Sequence, residues 1–256
     1  MGHISNNFAI KTYNLTKLFG KTKAVNNLNL KIPYGETFGL VGPNGAGKTT
    51  IIRLLNCITI PDSGTAFIMD YGIIKDKHKI KMNTGLLPQS PALYNKLTAE
   101  EYLTFVGELY NLPKDIIFSR IQELLEIFDL RNKEKELLEN YSRGMKQKIS
   151  FSAALIHDPK ILFLDEPTSN LDPSATSLVK DMIIHLKKKS KKTIFLSTNI
   201  LNVAEELCDI IGIVDNGILK VIGNSDEIKE SLSARSLEDV YSQIINKSSQ
   251  KRNISW

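Results

Sequence analysis

The chain has 256 residues, 42% of them hydrophobic and 24% charged, enough for one large globular domain or two intimately joined subdomains, and without the composition of a disordered segment. No apolar run approaches the ~18–20 residues that a membrane span requires, and Met1-Gly2-His3-Ile4-Ser5-Asn6 lacks the basic and apolar regions of a signal peptide. Cys57 and Cys208 stand alone, which disfavours a thiolate metal site or a disulfide framework and suits a reducing cytosol, and much of the net charge of +5 lies in Lys187-Lys188-Lys189-Ser190-Lys191-Lys192, which reads as a solvated helix end.

In chain order, Phe8 to Tyr13 and Ala24 to Ile32 alternate apolar and polar side chains, as half-buried strands do. Between them Phe19 precedes a glycine turn, and its spacing suits a core residue or a ring on which an adenine stacks. Pro33-Tyr34-Gly35-Glu36 turns into the apolar run Phe38-Gly39-Leu40-Val41, which leads to Gly42-Pro43-Asn44-Gly45-Ala46-Gly47-Lys48-Thr49 and a helix-like segment from Thr50 to Ile58. Strand, glycine loop and helix in that order are the context in which GxxxxGK[ST] holds a nucleotide phosphate chain. The glycines let backbone N–H groups point inward at a helix N-terminus, Lys48 reaches the outer phosphates, and the Thr49 hydroxyl ligates Mg²⁺. The stretch marks a binder of nucleoside triphosphates.

Pro61-Asp62-Ser63-Gly64 is a turn and Thr65 to Met69 a short strand. Pro88 and Pro91 bracket Gln89 and hold it in an extended loop, either as a solvated side chain or as a functional one. From Thr98 the period is helical: Thr98 and Glu101 form a capping box, with Tyr102, Phe105, Val106 and Leu109 as the expected buried face. Leu112-Pro113 ends this helix, and Ile117, Ile121, Leu124, Leu125 and Phe128 make a second stripe. The run from about 98 to 157 reads as an all-helical insertion. Ser142 is placed to cap a helix running to His157, and a start carrying Ser, Arg, Gly and Lys suits an anion or an ordinary cap. Ile161 to Leu164 form an apolar strand ending in Asp165-Glu166, as a central parallel strand does where it faces the ligand crevice. Beside a phosphate loop, Asp165 is expected to hold Mg²⁺ and Glu166 to orient the attacking water. Asn170-Leu171-Asp172-Pro173 opens a helix with Leu178, Val179, Met182, Ile183 and Leu186 inward, Thr193 to Ser197 is a core strand, and Thr198-Asn199 caps a helix to about Cys208. Ile210 to Val214 and Ile218 to Ile222 pair through an Asp215-Asn216-Gly217 turn, and residues 225–256 are polar and weakly helical, with no legible chemistry.

Taken in order, these motifs resemble the ATP-binding subunits of ABC transporters over roughly residues 8–223. The resemblance implies an α/β fold: a P-loop NTPase (RecA-like) core, an antiparallel β subdomain, a helical subdomain at about 98–157, and a short C-terminal extension at 224–256. Walker A is then Gly42 to Thr49, the Q-loop residue Gln89, Walker B Ile161 to Asp165, the catalytic glutamate Glu166, the D-loop Ser169 to Asp172 and the adenine-stacking ring Phe19. By the same resemblance ATP is bound by Phe19, Val25, Gly42, Pro43, Asn44, Gly45, Ala46, Gly47, Lys48, Thr49, Thr50, Ser142 and Gly144. Mg²⁺ is held by Thr49, Gln89 and Asp165, and catalysis falls to Glu166, Asn199 and Gln89.

Two departures are informative. The LSGGQ signature reads Tyr141-Ser142-Arg143-Gly144-Met145, a variant that looks like the branch serving ABC-2-type drug or sodium exporters, as does the tail from Ser236 to Tyr241. Where the family carries a switch histidine this chain has Asn199, which donates a hydrogen bond but carries no charge, implying slow hydrolysis. The resemblance further implies a second ATP-binding subunit, identical or not, with two ATP molecules sandwiched between them. It also implies a separate transmembrane permease, a position on the inner face of the cell membrane through it, and no nucleic acid. A non-transport ABC ATPase is the alternative, although such relatives typically carry a coiled-coil insertion or two fused cassettes. A slow ATP-dependent clamp is the other.

Overall fold

A computed structural model describes residues 7–169 and 171–249; residues 1–6, Asn170 of the D-loop-like turn and residues 250–256 lie outside the described residues. In chain order the elements are β1 (Phe8–Phe19), β2 (Thr22–Pro33), β3 (Thr37–Val41), α1 (Lys48–Leu55), β4 (Ser63–Ile68), β5 (Tyr71–Gly72), α2 (Lys77–Asn83) and β6 (Thr84–Leu87). There follow α3 (Ala99–Leu109), α4 (Lys114–Ile127), α5 (Arg143–Leu155), β7 (Ile161–Asp165), α6 (Pro173–Ser190), β8 (Thr193–Thr198), α7 (Leu201–Leu207), β9 (Ile210–Asp215), β10 (Ile218–Gly223), α8 (Ser225–Ser231) and α9 (Leu237–Ser249).

Two sheets organise the chain. The first is antiparallel, in the order β2-β1-β4-β5; the second runs β10-β9-β3-β8-β7-β6, parallel from β9 to β6 with β10 antiparallel at its edge. Every residue of β3, β7 and β8 is buried, as strands covered on both faces must be, which explains their unbroken apolar runs. The chain leaves β3 for α1 at the centre of this sheet, so the loop from Gly42 to Gly47 opens at the carboxyl ends of the strands, the place where parallel sheets bind ligands.

Several expectations change in detail. β1 and β2 run on to Phe19 and back to Thr22, because irregularities around Asn14 and Asn27, both at positive φ, break the two-residue alternation without ending the pairing. The capping box of Thr98 and Glu101 is present; Tyr102 and Val106 pack against the core as expected, but the fully buried residues of α3 are Ala99, Leu103 and Gly107, while Phe105 and Leu109 are exposed. A Cβ on Gly107 would lie 2.8 Å from the Ile117 side chain, so α4 closes on the small-residue stripe rather than on the aromatic one. The second stripe, Ile117 to Phe128, is buried as expected. Asn199 does not cap α7: Ile200 holds that position without a side-chain cap, and the Ile200 N–H donates to Thr198 Oγ1 at 3.0 Å. Within the lysine run, Lys187 pairs with Asp209 and Lys192 with Asp158, so this helix end is partly tied down.

Candidate functional site

At the mouth of β3 lies a cavity of about 270 Å³, lined by Ala24, Asn44, Gly45, Ala46, Gly47, Lys48, Thr49, Thr50, Gln89 and Glu166. Its loop is set by close backbone contacts. Gly47 has φ 103°, and a Cβ there would lie 2.1 Å from the Ala24 carbonyl oxygen; a Cβ on Gly42 would lie 2.3 Å from the Val214 carbonyl oxygen. Gly47 is also the N-cap of α1, with no side-chain cap and no acid in the first turn. The first amides of the helix therefore have no intrahelical acceptor and no competing carboxylate, which fits a phosphate chain.

The charged groups converge behind the loop. The Lys48 ammonium, buried, donates to Gly42 O at 2.8 Å and Pro43 O at 3.3 Å and pairs with Glu166 Oε1 at 3.1 Å. Glu166 follows β7 in the left-handed region at φ 53°, a conformation that costs a non-glycine residue about 1–3 kcal/mol and gathers at functional sites. Its N–H is held by Ser197 of the neighbouring strand, at 3.1 Å from both Ser197 O and Oγ. The Ser197 hydroxyl in turn donates to Asp165 Oδ1 at 2.6 Å. One β8 serine thus orients both consecutive acids.

Among the described residues no group of three or more His, Cys, Asp or Glu could hold a metal alone. Thr49, Gln89 and Asp165 supply hard oxygen donors, which suits Mg²⁺ when phosphate oxygens and water complete its shell.

The structure brings together most of the expected set. Asn44 to Thr50, Gln89 and Glu166 share the cavity, while Gly42 and Pro43 contribute the carbonyls that Lys48 engages. Gln89, ambiguous by sequence, arrives because β6 pairs with β7 and ends at Leu87, two residues before it. Asp165, 3% exposed, lies behind the lining. Val25 lies outside the lining, fully buried in the core, and its neighbour Ala24 faces the cavity. The break in alternation at Asn27, between buried Val25 and buried Leu28, is what turns Ala24 toward the cavity, and no local sequence signal marks it. Phe19 lies outside the lining, 55% exposed at the β1–β2 turn, with the Lys17 ammonium 5.6 Å from its ring centre. Ser142 and Gly144 are also elsewhere: Ser142 is the exposed N-cap of α5 and accepts the Met145 N–H at 3.3 Å. Asn199, exposed at the end of β8, does not line the cavity.

The profile of the ABC transporter family matches residues 25–169. The linearmycin resistance ATP-binding protein LnrL of Bacillus subtilis is 36% identical over 219 residues, 86% of this chain and 70% of that protein. The bacitracin transport ATP-binding protein BcrA of Bacillus licheniformis is 39% identical over 210 residues, 82% of this chain and 68% of that one. Among solved structures, an ATP-binding subunit of an ABC transporter superposes with a TM-score of 0.85 at 29% identity, covering 93% of this chain and 99% of that one. A dimeric post-hydrolysis state of the ATP-binding cassette MJ0796, bound to ADP and Pi, gives 0.77 at 25% identity, covering 84% and 98%.

Proposed function

The chain belongs to the ABC transporter family as an ATP-binding and ATP-hydrolysing subunit, and from that premise we propose that it drives an ABC-2-type exporter through closure of two cassettes on ATP. The observation that carries the dimer is the division of the site. Lys48, Gln89 and Glu166 share one cavity, whereas Ser142 and Gly144 stand outside it at the start of another helix. A second cassette presenting that helix start completes the phosphate contacts, since unpaired amides at a helix N-terminus suit an anion.

In the closed pair Lys48 leaves Glu166 for the outer phosphates, and Glu166 accepts a proton from a water attacking the γ-phosphorus in line. The new P–O bond forms as the bond to the β-phosphate oxygen breaks, giving ADP and phosphate. Thr49, Asp165 and Gln89 would hold Mg²⁺, which would neutralise charge at the phosphates.

For the permease contact, Tyr94, Lys96, Leu97 and Phe105 line an open groove of about 400 Å³, with the Tyr94 and Phe105 rings edge to face at 5.6 Å. Tyr94 is 60% exposed, five residues beyond Gln89 along the same loop, so a permease segment seated there is sensed at the cavity. The export direction rests on the named roles of the relatives in linearmycin resistance and bacitracin transport. The test asks whether the adjacent reading frame encodes a membrane protein of about six apolar spans, and pairs this chain with that protein. ATP turnover raised by that protein, and an ATP-trapped Glu166→Gln dimer by light scattering, are expected. Absence of both overturns the proposal. Asn199 favours a second reading, a clamp that closes on ATP and hydrolyses it slowly, because an amide there donates a hydrogen bond but carries no charge.

A further inference from the structure

Residues 224–249 carry no phosphate-binding or catalytic motif, yet they are built into the molecule. Asn224 and Glu227 form a reciprocal capping box on α8, and the Asp239 N–H donates to Ser236 Oγ at 3.1 Å where α9 begins. The α8 helix is pinned to α7 by Ser225 Oγ and Lys229 Nζ, which reach Glu205 Oε1 at 2.8 and 3.3 Å. Ile228, Leu237 and Val240 are at most 1% exposed and share a cluster with Val41, Ala204, Ile211 and Ile213, flanked by Leu201 and Tyr241.

The partners in that cluster all lead to the site. Val41 is the last residue of β3, next to Gly42. Leu201 and Ala204 belong to α7, which begins two residues after Asn199. Ile213 lies two residues before Asp215, where the β9–β10 turn begins, and that turn touches the loop. The Gly217 N–H donates to Ala46 O at 3.0 Å, while Gly217 O accepts the Asn26 N–H at 2.8 Å. Tyr241 of α9 stands beside this turn: burial raises its phenol pKa, and the Asp215 carboxylate adds to the rise.

We propose that α8 and α9 form a brace that holds the phosphate loop and the Asn199 segment as one unit, so that nucleotide affinity depends on side chains that never touch nucleotide. The brace works through two supports in the shared cluster, Val41 at the end of β3 and Ile213 of β9, the strand that leads into the Gly217 turn. Its effect on affinity rests on the reading of the cavity as the ATP site; its effect on loop mobility does not.

The test uses full-length Val240→Ala, Tyr241→Ala and Tyr241→Phe, with Ile121→Ala in α4 as a comparator of similar burial far from the loop in the contact map. Amide exchange of residues 42–50 and 199–204 is measured without nucleotide, and ATP affinity by titration. Val240→Ala and Tyr241→Ala are expected to speed exchange in both segments and weaken ATP on the order of five-fold or more, the lower end of ordinary coupling between sites. Tyr241→Phe and Ile121→Ala keep wild-type exchange in both segments. Wild-type exchange in the two alanine variants, or equal loosening by Ile121→Ala, overturns the brace. If the wild type does not bind ATP, the cavity reading falls while exchange still decides the brace. If Val240→Ala does not fold, the half-buried Tyr241→Ala decides alone.

Discussion

Glu166→Gln tests two things at once, because the carboxylate that pairs with Lys48 is the one proposed to take the proton of the attacking water. Both partners of the pair are about 6% exposed, with Nζ 3.1 Å from Oε1. Removing one charge of a buried pair costs about 3–5 kcal/mol when the other is left bare. Here Lys48 keeps Gly42 O and Pro43 O, and the glutamine amide oxygen can still accept. The loss is then about 2 kcal/mol, below that range, because the ammonium keeps three acceptors and loses only its counter-charge. At roughly 2–4 °C per kcal/mol for a chain of this size, the nucleotide-free melting point falls by about 4–8 °C. Bound ATP takes Lys48 away from Glu166 in either protein, so the pair is lost from the bound state in both. The variant should therefore bind ATP about 2 kcal/mol more tightly, on the order of 30-fold. Turnover should drop at least about 100-fold, the ordinary worth of a positioned base. Thermal denaturation without nucleotide, equilibrium binding and phosphate release measure the three effects. Undiminished turnover refutes the role of Glu166. A wild-type melting point with wild-type affinity refutes the pair as a restraint.

Three further outcomes follow from the geometry. Burial lowers the His157 pKa to about 4, with Nε2 at 3.0 Å from Thr84 O and the ring stacked on Tyr110. The unfolded histidine takes its proton first as pH falls, so this contribution, roughly 3 kcal/mol, is whole above pH ~6.5 and lost on descent towards pH ~4. Urea denaturation at pH 7 and pH 4.5 should show a smaller drop for His157→Asn than for wild type, and equal drops would contradict it. Gly47→Ala puts a Cβ 2.1 Å from the Ala24 carbonyl oxygen at φ 103°, so nucleotide titration should find affinity lost by at least about ten-fold, or 1.4 kcal/mol; unchanged binding would mean the loop can relax. Asn199→His should speed single-turnover hydrolysis about ten-fold, or 1.4 kcal/mol of barrier, if the asparagine slows a clamp. No gain would assign the chain to the ordinary motors.

What was legible in the sequence was whatever has a fixed local signature. The phosphate loop, the acidic pair after an apolar strand and the capping box all depend on residues adjacent in sequence. The buried strands β3, β7 and β8 were legible for a related reason, since burial on both faces leaves an unbroken apolar run. What sequence missed depends on contacts between distant segments. Strand β6 has four residues and is defined by pairing with β7, and α2 presents a run of lysines that reads as loop. The face of α3 was half misjudged: Tyr102 and Val106 pack against the core, but Gly107 admits Ile117, and that close approach leaves Phe105 and Leu109 exposed. Val25, which the resemblance gives to the nucleotide, is fully buried while its neighbour Ala24 lines the cavity, a placement set by the irregularity at Asn27. The tail was dismissed as polar because its buried Ile228, Leu237 and Val240 are spaced across two short helices, with no dense stripe in either.

These misses bear on how the phosphate loop is held. Gly42 packs on Val214 O, Gly47 on Ala24 O, and a Cβ on Gly217 would lie 2.8 Å from both the Ala24 and Lys23 carbonyl oxygens. The loop is thus wedged between β2 and the β9–β10 hairpin, elements almost 200 residues apart in the chain. A loop fixed by backbone contact does not have to be ordered by its ligand, so less ordering entropy opposes binding. On the proposed mechanism the part left to move is Lys48, which would exchange Glu166 and two carbonyls for phosphate oxygens. That exchange would free the Glu166 carboxylate for water at the step in which it is needed. Glycine at these positions is therefore a packing requirement as much as a conformational one, and the strands that impose it are part of the site.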